Sequence, residues 1–409
     1  MPRYEERIWP GDPAGQTRAE REPFRFRAYV PDGIADSDFP LNGPVAQSVS
    51  SAEKALATLN QDSEAYGALE SVARQLLRAE SVASSRIEGL ELSHTRLARA
   101  DFEGDDSRDE TARSVLGNMR AMERSIGLGE GATPFRVEDL CELHRILLTG
   151  TRDEHFAGKV RVKQNWLGGS TYSPRGAEFI PPPQEYVDDL LDDLAAFVNR
   201  DDLPAVQQAA IAHSQFETIH PFPDGNGRVG RCLIHTVLRR RGLALRCVPP
   251  ISLVLATEAD RYIAALTAFR SDREAEWTLF FAETASAAST KAASFSRRVR
   301  ELQDEWRANV GRMRRDSAAT RLIGELPRMP IVDIATAQEA LGTSDEAARV
   351  AIRRLEDAGV LRRVPTNGRA RAWEAAGIFA ALDGFERELA TPDEDGAPTR
   401  PSPRPPEGP

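Results

Sequence analysis

From residue 50 to residue 308 the chain keeps returning to one pattern. Apolar side chains recur three and four residues apart with polar ones between, and only a packing of amphipathic helices satisfies that spacing. The segments 50–60, 67–88, 108–126, 136–149, 184–199, 204–219 and 227–241 carry it, and it returns at 256–270 and in the long Ala-rich stretch 274–308. A mainly α fold is the expectation. One stretch breaks the rhythm: residues 160–183, VRVKQNWLGGSTYSPRGAEFIPPP, join β-formers, paired glycines and three consecutive prolines. That composition predicts a small β-hairpin followed by extended chain.

The flanks differ from this body. Residues 1–45 hold many Pro and Gly with no sustained period, and read as an extended arm laid across a neighbouring domain. Beyond Arg315 come short helical segments at 317–326, 331–341 and 343–361, then a hairpin pattern over 362–375, an order that resembles a winged helix-turn-helix. In its last helix Thr343 is the expected N-cap, Ala347, Val350, Ile352 and Leu355 the inward residues, and Gly359 the stop. Seven prolines in residues 391–409 predict a disordered tail. The expected units are therefore an arm at 1–45, an N-terminal helical region at 46–128, a core at 129–310, a winged helix at 316–386 and a disordered tail at 387–409.

Composition narrows the function. At 409 residues and 41% hydrophobic content, the chain can fill two or three cores. Cys141, Cys232 and Cys247 lie far apart and give neither a disulfide framework nor zinc spacing, which suits a reducing cytoplasm. The N-terminus lacks the apolar stretch of a signal peptide, and no apolar run reaches a membrane-spanning length, so neither export nor membrane contact is expected. A net charge of −10 argues against bulk electrostatic binding of nucleic acid. The sum hides a local bias, because between 343 and 373 seven arginines oppose four acids.

The densest chemistry lies in HPFPDGNGRVGR, His220 to Arg231, where one helical pattern ends and the next begins. Pro221 and Pro223 stop the first helix, and Gly225, Asn226 and Gly227 let successive backbone N–H groups converge as the second helix starts. A helix N-terminus of this kind attracts anions, and Arg228 and Arg231, one turn apart, are expected to face the same phosphates. Asp224 beside so positive a site is read as a ligand for Mg²⁺ bridging to phosphate oxygens. His220, with a pKa near neutrality, suits the removal of a proton from an attacking hydroxyl. Phe222 is expected to anchor the loop in the core. His213, seven residues earlier in an apolar-periodic helix, reads as a hydrogen-bonded core histidine ahead of a metal partner for His220.

These residues resemble the signature of the Fic family, His-x-Phe-x-Asp/Glu-Gly-Asn-Gly-Arg-x-x-Arg, at every specified position. FETIHPF, GKVRVKQNWLGG, FIPPP and AYVPDG extend the likeness over roughly residues 30–290. It implies an α-helical Fic core with a β-hairpin flap, an N-terminal helical extension and a C-terminal winged helix. It also implies transfer of AMP from ATP to a Tyr, Ser or Thr hydroxyl of a target protein docked at the flap around 160–180. By the same resemblance His220 is the base and Asp224 binds Mg²⁺. Gly225, Asn226 and Gly227 hold phosphates with Arg228 close by, and Arg231 holds the γ-phosphate. Upstream, SSRIEG resembles the family's inhibitory pattern: Ser84, Glu88 and Gly89 match it, and a carboxylate four residues from Ser84 could reach Arg231 and stand where the γ-phosphate belongs. Tyr172, in the predicted flap, reads as an exposed loop aromatic ahead of a self-modification site.

Two functions from different classes fit. One is a protein adenylyltransferase autoinhibited by Glu88. The other is a transcriptional regulator that binds DNA through 343–373 and senses nucleotide in its helical core; that same basic segment could instead dock protein. Homodimers built through the core or the winged helix are compatible with either.

Overall fold

The computed structural model describes residues 2–61, 66–104, 109–131, 133–365 and 371–390. The arm forms regular structure: β1 (Arg3–Trp9) pairs antiparallel with β2 (Phe24–Val30), Arg3 opposite Val30 and Trp9 opposite Phe24, across a loop holding the single-turn α1 (Arg18–Arg21). The signal in β2 is a two-residue alternation of Phe24, Phe26, Ala28 and Val30 with arginines and Tyr29, too short to register as a sustained period. Residues 29–37 then strap across the helices. Tyr29 donates its N–H to Ile180 O, Asp193 accepts from Ile34 N and Ala35 N, and Arg200 donates to the carbonyls of Ala35 and Ser37.

The helical body follows in the expected order: α2 (Gly43–Gln61), α3 (Tyr66–Ile87), α4 (His94–Glu103), α5 (Glu110–Leu128), α6 (Val137–Leu148), α7 (Val187–Val198), α8 (Ala205–Ile219) and α9 (Asn226–Arg240). Helix α4 was not legible from periodicity; Ser93 caps it by accepting from Arg96 N. The helix expected at 256–270 is α11 (Ala259–Phe269); before it lies α10 (Ile251–Thr257), not anticipated, and the two are parted at Glu258, whose φ of −118° and ψ of 38° leave the helical region. Every residue of α8 is buried, with α9, α7 and the 37-residue α12 (Glu274–Val310) packed around it. Residues 160–183 contain no regular strand; the stretch folds back on itself through antiparallel bridges at Leu167–Phe179 and Ser170–Ser173.

Helix α12 runs from the main core into a second one, to which it contributes Phe295, Val299, Leu302 and Trp306. There it meets α13 (Ala318–Glu325), β3 (Ile331–Val332), α14 (Ile334–Leu341), α15 (Asp345–Asp357), β4 (Leu361–Val364), β5 (Ala372–Ala375) and α16 (Ile378–Ala390), with the strands in the order β3-β5-β4. The cap of α15 is Ser344, not Thr343: its hydroxyl accepts from Ala347 N. The buried face also differs from the expected one: Val350 is 52% exposed and Ala347 only half-buried, while Ala348 and Ala351 are buried beside Ile352 and Leu355. Gly359, at φ +71°, does end the segment. Helix α16 was not anticipated and takes in residues 387–390 of the expected tail; residues 391–409 and the hairpin tip at 366–370 lie outside the described residues.

Candidate active site

Helix α8 ends at His220, whose φ of 48° and ψ of 62° place it in the left-handed region. Pro221 has no N–H to continue the helix. The turn that follows is closed by Asn226, whose side chain accepts from Phe222 N and donates to Phe222 O, both at 2.8 Å. The Asn226 side-chain amide is thus engaged within the loop, and the groups at the start of α9 that can meet an anion are the backbone N–H groups. Gly225 caps α9 at φ +75°, and a Cβ there would come within 2.9 Å of Leu147 Cδ2, so the position demands glycine. Phe222 is fully buried and stacks on the His144 ring at 3.9 Å. His144 Nδ1 accepts from Gly158 N–H, so Nε2 carries the proton and donates to Asp224 O. Burial pushes its pKa down to about 4 and keeps the ring neutral.

The irregular stretch after Gly158 is fastened to the loop. Arg161 is buried, donates through Nε to His220 O and through its N–H to Pro221 O, and also binds the carbonyls of Lys163 and Pro182. Asn165 Nδ2 donates to His220 O and Phe222 O. His220 is mostly buried, and its pKa is driven to about 3 by burial and by the positive charges of Arg161 and Arg270. An imidazole held neutral is the form a general base needs. His213 donates or accepts through Nε2 at 2.7 Å from the Tyr262 hydroxyl deep in the core, so that nitrogen is not free for a metal shared with His220.

The first two turns of α9 carry the arginines, but they hold different partners. Arg228 meets Asp224 Oδ2 at 3.0 Å and Ser114 Oγ at 3.2 Å, whereas the buried Arg231 donates to Ser84 Oγ and Ser84 O at 2.8 Å and to Glu88 Oε1 at 2.7 Å. The Glu88 carboxylate lies against the helix start: a Cβ on Gly227 would meet Oε1 at 2.1 Å. Burial disfavours its ionisation, yet Arg231, aided by Arg228, holds its pKa below the ordinary value. Helix α3 ends at Ile87, and Gly89, at φ +90°, completes the turn by donating to Arg86 O while Leu90 N reaches Ser85 O. Glu88 therefore leaves the helix as it reaches Arg231. Asp224 is exposed on the rim, and among the described residues no group of three or more His, Cys, Asp or Glu could hold a metal ion by itself.

The profile of the Fic/DOC family matches residues 134–238, and that of the Fic/DOC family N-terminal region matches residues 46–127. These two segments belong to the Fic/DOC family. Among curated relatives, protein adenylyltransferase fic-1 of Caenorhabditis briggsae is 35% identical over 129 residues, 31% of this chain and 22% of that protein. Protein adenylyltransferase Fic of Drosophila melanogaster is 34% identical over 146 residues, 32% of this chain and 28% of that protein. The match thus spans under a third of either relative. A Fic family protein from Desulfovibrio desulfuricans G20, known from its crystal structure, shares the fold with a TM-score of 0.52 and 20% identity over 83% of this chain and 98% of that one.

Within the Fic region the structure brings together His220, Asp224, Gly225, Gly227, Arg228 and Arg231 with Ser84 and Glu88, which lie well over a hundred residues upstream. Sequence reasoning assigned no roles to His144, Arg161, Asn165, Glu217 and Arg270. The residues GKVRVKQN carried the likeness to the family, but nothing in their spacing said that Arg161 and Asn165 bind loop carbonyls. His144 sits on the inward face of an ordinary amphipathic helix and gave no signal at all.

Proposed function

We propose that this chain is a protein adenylyltransferase that moves AMP from ATP to a Tyr, Ser or Thr hydroxyl of a protein and is held off by its own Glu88. The reading is carried by the position of the Glu88 carboxylate, on Arg231 and against Gly227. An anion already sits where helix-terminus N–H groups and a buried arginine would receive a terminal phosphate. The names of the curated relatives, each a protein adenylyltransferase, point the same way.

On this reading ATP enters when the end of α3 withdraws, and its γ-phosphate takes Glu88's place on Arg231. The acceptor hydroxyl oxygen then attacks the α-phosphorus, the bond from that phosphorus to the bridging oxygen breaks, and pyrophosphate leaves. His220 takes the hydroxyl proton. The loop's backbone N–H groups stabilise the charge on the phosphates and, held by Asn226, need no reorganisation to do so. Asp224, exposed and adjacent, is the residue that would hold Mg²⁺; one carboxylate completed by phosphate oxygens and waters is a usual Mg²⁺ shell, and the ion would neutralise phosphate charge. The target segment docks along residues 160–180, next to the 81%-exposed Val162.

The winged-helix unit at 316–386 serves target choice or regulation. A DNA-binding regulator is the second reading, favoured by exposed Arg349, Arg353, Arg362 and Arg363; Arg349 is paired with Asp345 and Arg363 with Glu356, which reduces the basic surplus. Radiolabelled ATP separates the two. Label on protein is expected with Glu88→Gly, little with wild type and none with Glu88→Gly/His220→Ala; absence of label from all three favours the regulator.

A further inference from the structure

Glu217 lies on α8 three residues before His220, and its carboxylate is buried inside the site. Oε2 is 3.9 Å from His220 Nδ1. The other oxygen, Oε1, has no hydrogen-bond partner, and neither has His220 Nδ1, although both are buried. A buried carboxylate facing a buried imidazole nitrogen, each with unused capacity, is a rare arrangement unless the two serve one another. The niche is also shaped for it. Gly230 occupies an unspecified position of the Fic signature, yet a Cβ there would meet Glu217 Oε1 at 2.5 Å, so α9 leaves room for this side chain.

The surrounding charges give the pair a task. His220 is faced by Arg161 from the fastened loop and Arg270 from the end of α11, both of which oppose an imidazolium, and by Glu88, which favours one. Glu217 is faced by Arg231 from α9, Arg270, Glu88 and the Tyr262 hydroxyl of α11; burial and Glu88 raise its pKa to about 7 against the pull of Arg231 and Arg270. When Glu88 withdraws, His220 loses that favourable carboxylate, and Glu217 is the one left beside its ring.

We propose that Glu217 is a positioning residue for His220, an inference that rests on the adenylyltransferase reading. Its carboxylate accepts Nδ1–H and fixes the tautomer in which Nε2 is free to take the acceptor's proton. As that proton arrives on Nε2, the oxygen–phosphorus bond forms and pyrophosphate departs, and Glu217 offsets the positive charge on the imidazolium. The backbone carbonyl of Glu217 faces the same ring and favours the same tautomer, so the test must isolate the side chain.

Glu217→Gln in the Glu88→Gly background does so. Expected is a fall in kcat on the order of a hundredfold with KM for ATP unchanged, together with a downward move of the acidic limb of the pH profile, because the carboxyl whose pKa burial raises is gone. ¹⁵N NMR of the imidazoles, with His220 assigned by loss of its signals in His220→Ala, should show the Nδ1–H tautomer depleted in Glu217→Gln. An unchanged kcat and pH profile overturns the inference, as does a loss confined to KM or to the melting temperature. If the Glu88→Gly parent transfers no AMP, the adenylyltransferase reading falls by itself. The NMR comparison still decides: an identical His220 tautomer in both proteins rejects the positioning role.

Discussion

The Arg231–Glu88 contact is where the sequence says most and where one atom matters most. Glu88 carries a depressed pKa, so its contact with Arg231 adds stability above the ordinary carboxylate value of 4.5 and loses it as pH falls through the lower folded value. Glu88→Gln keeps the size and removes the charge; it is expected to lower the melting temperature at pH 7 and to leave it unchanged at strongly acid pH, as thermal melts across that range would show. Glu217 has the opposite sign. Raised to about 7, its carboxyl makes ionisation costly in the fold, so stability drops as pH rises from 4.5 toward 7. The advantage of Glu217→Gln over wild type should therefore grow between pH 5 and pH 8, by roughly a few degrees in melting temperature. Much of this site was legible from the chain: the run from His220 to Arg231 announces a base, a turn and an anion seat because those residue types are adjacent in sequence. Side-chain direction was not legible. Arg228 and Arg231 look equivalent at one-turn spacing, yet Ser84 and Glu88 take one while Asp224 and Ser114 take the other. Three of those four partners, Ser84, Glu88 and Ser114, lie more than a hundred residues away in the sequence.

Between the residue and the fold stand the helix ends. The end of α3 and the start of α4 flank Glu88, and both are held by one side chain of α16: Glu386 accepts from Arg86 at 3.0 Å and meets His94 Nε2 at 2.9 Å. Burial opposes its charge, but His94 and Arg86 keep its pKa below the ordinary value. Removing that carboxylate frees the turn that carries Glu88. Glu386→Gln is expected to raise AMP transfer above wild type, short of the level of Glu88→Gly, and to cost about 1–3 kcal/mol in chemical denaturation; activity equal to wild type would show that α16 does not restrain the segment. Periodicity located most helices because a buried face three or four residues wide repeats along each. It failed where an element was defined by its neighbours: α4, α16 and the bridged stretch of 160–183 take their shape from the surfaces they lie on.

The whole molecule is two cores, and both α12 and α3 line the two of them: α3 turns Leu77 and Val82 to the first and Val72, Leu76, Ala79 and Ala83 to the second. Phe295 of α12 stacks on Phe385 of α16 at 4.9 Å, inside the second core. Phe385→Ala should destabilise by about 3–5 kcal/mol, and hydrogen exchange should show the loss of protection concentrated in α13 to α16, with α8 and α9 unaffected; uniform loss would mean that the two cores unfold as one. The central claim is that a nucleotide replaces Glu88 on Arg231 and that His220 then carries AMP to a protein hydroxyl. It is tested most directly by incubating cell lysate with ATP, Mg²⁺ and each of three proteins, and searching by mass spectrometry for peptides bearing AMP. Such peptides are expected with Glu88→Gly, scarce with wild type and absent with Glu88→Gly/His220→Ala. None with Glu88→Gly, or as many with the double variant, would contradict the claim.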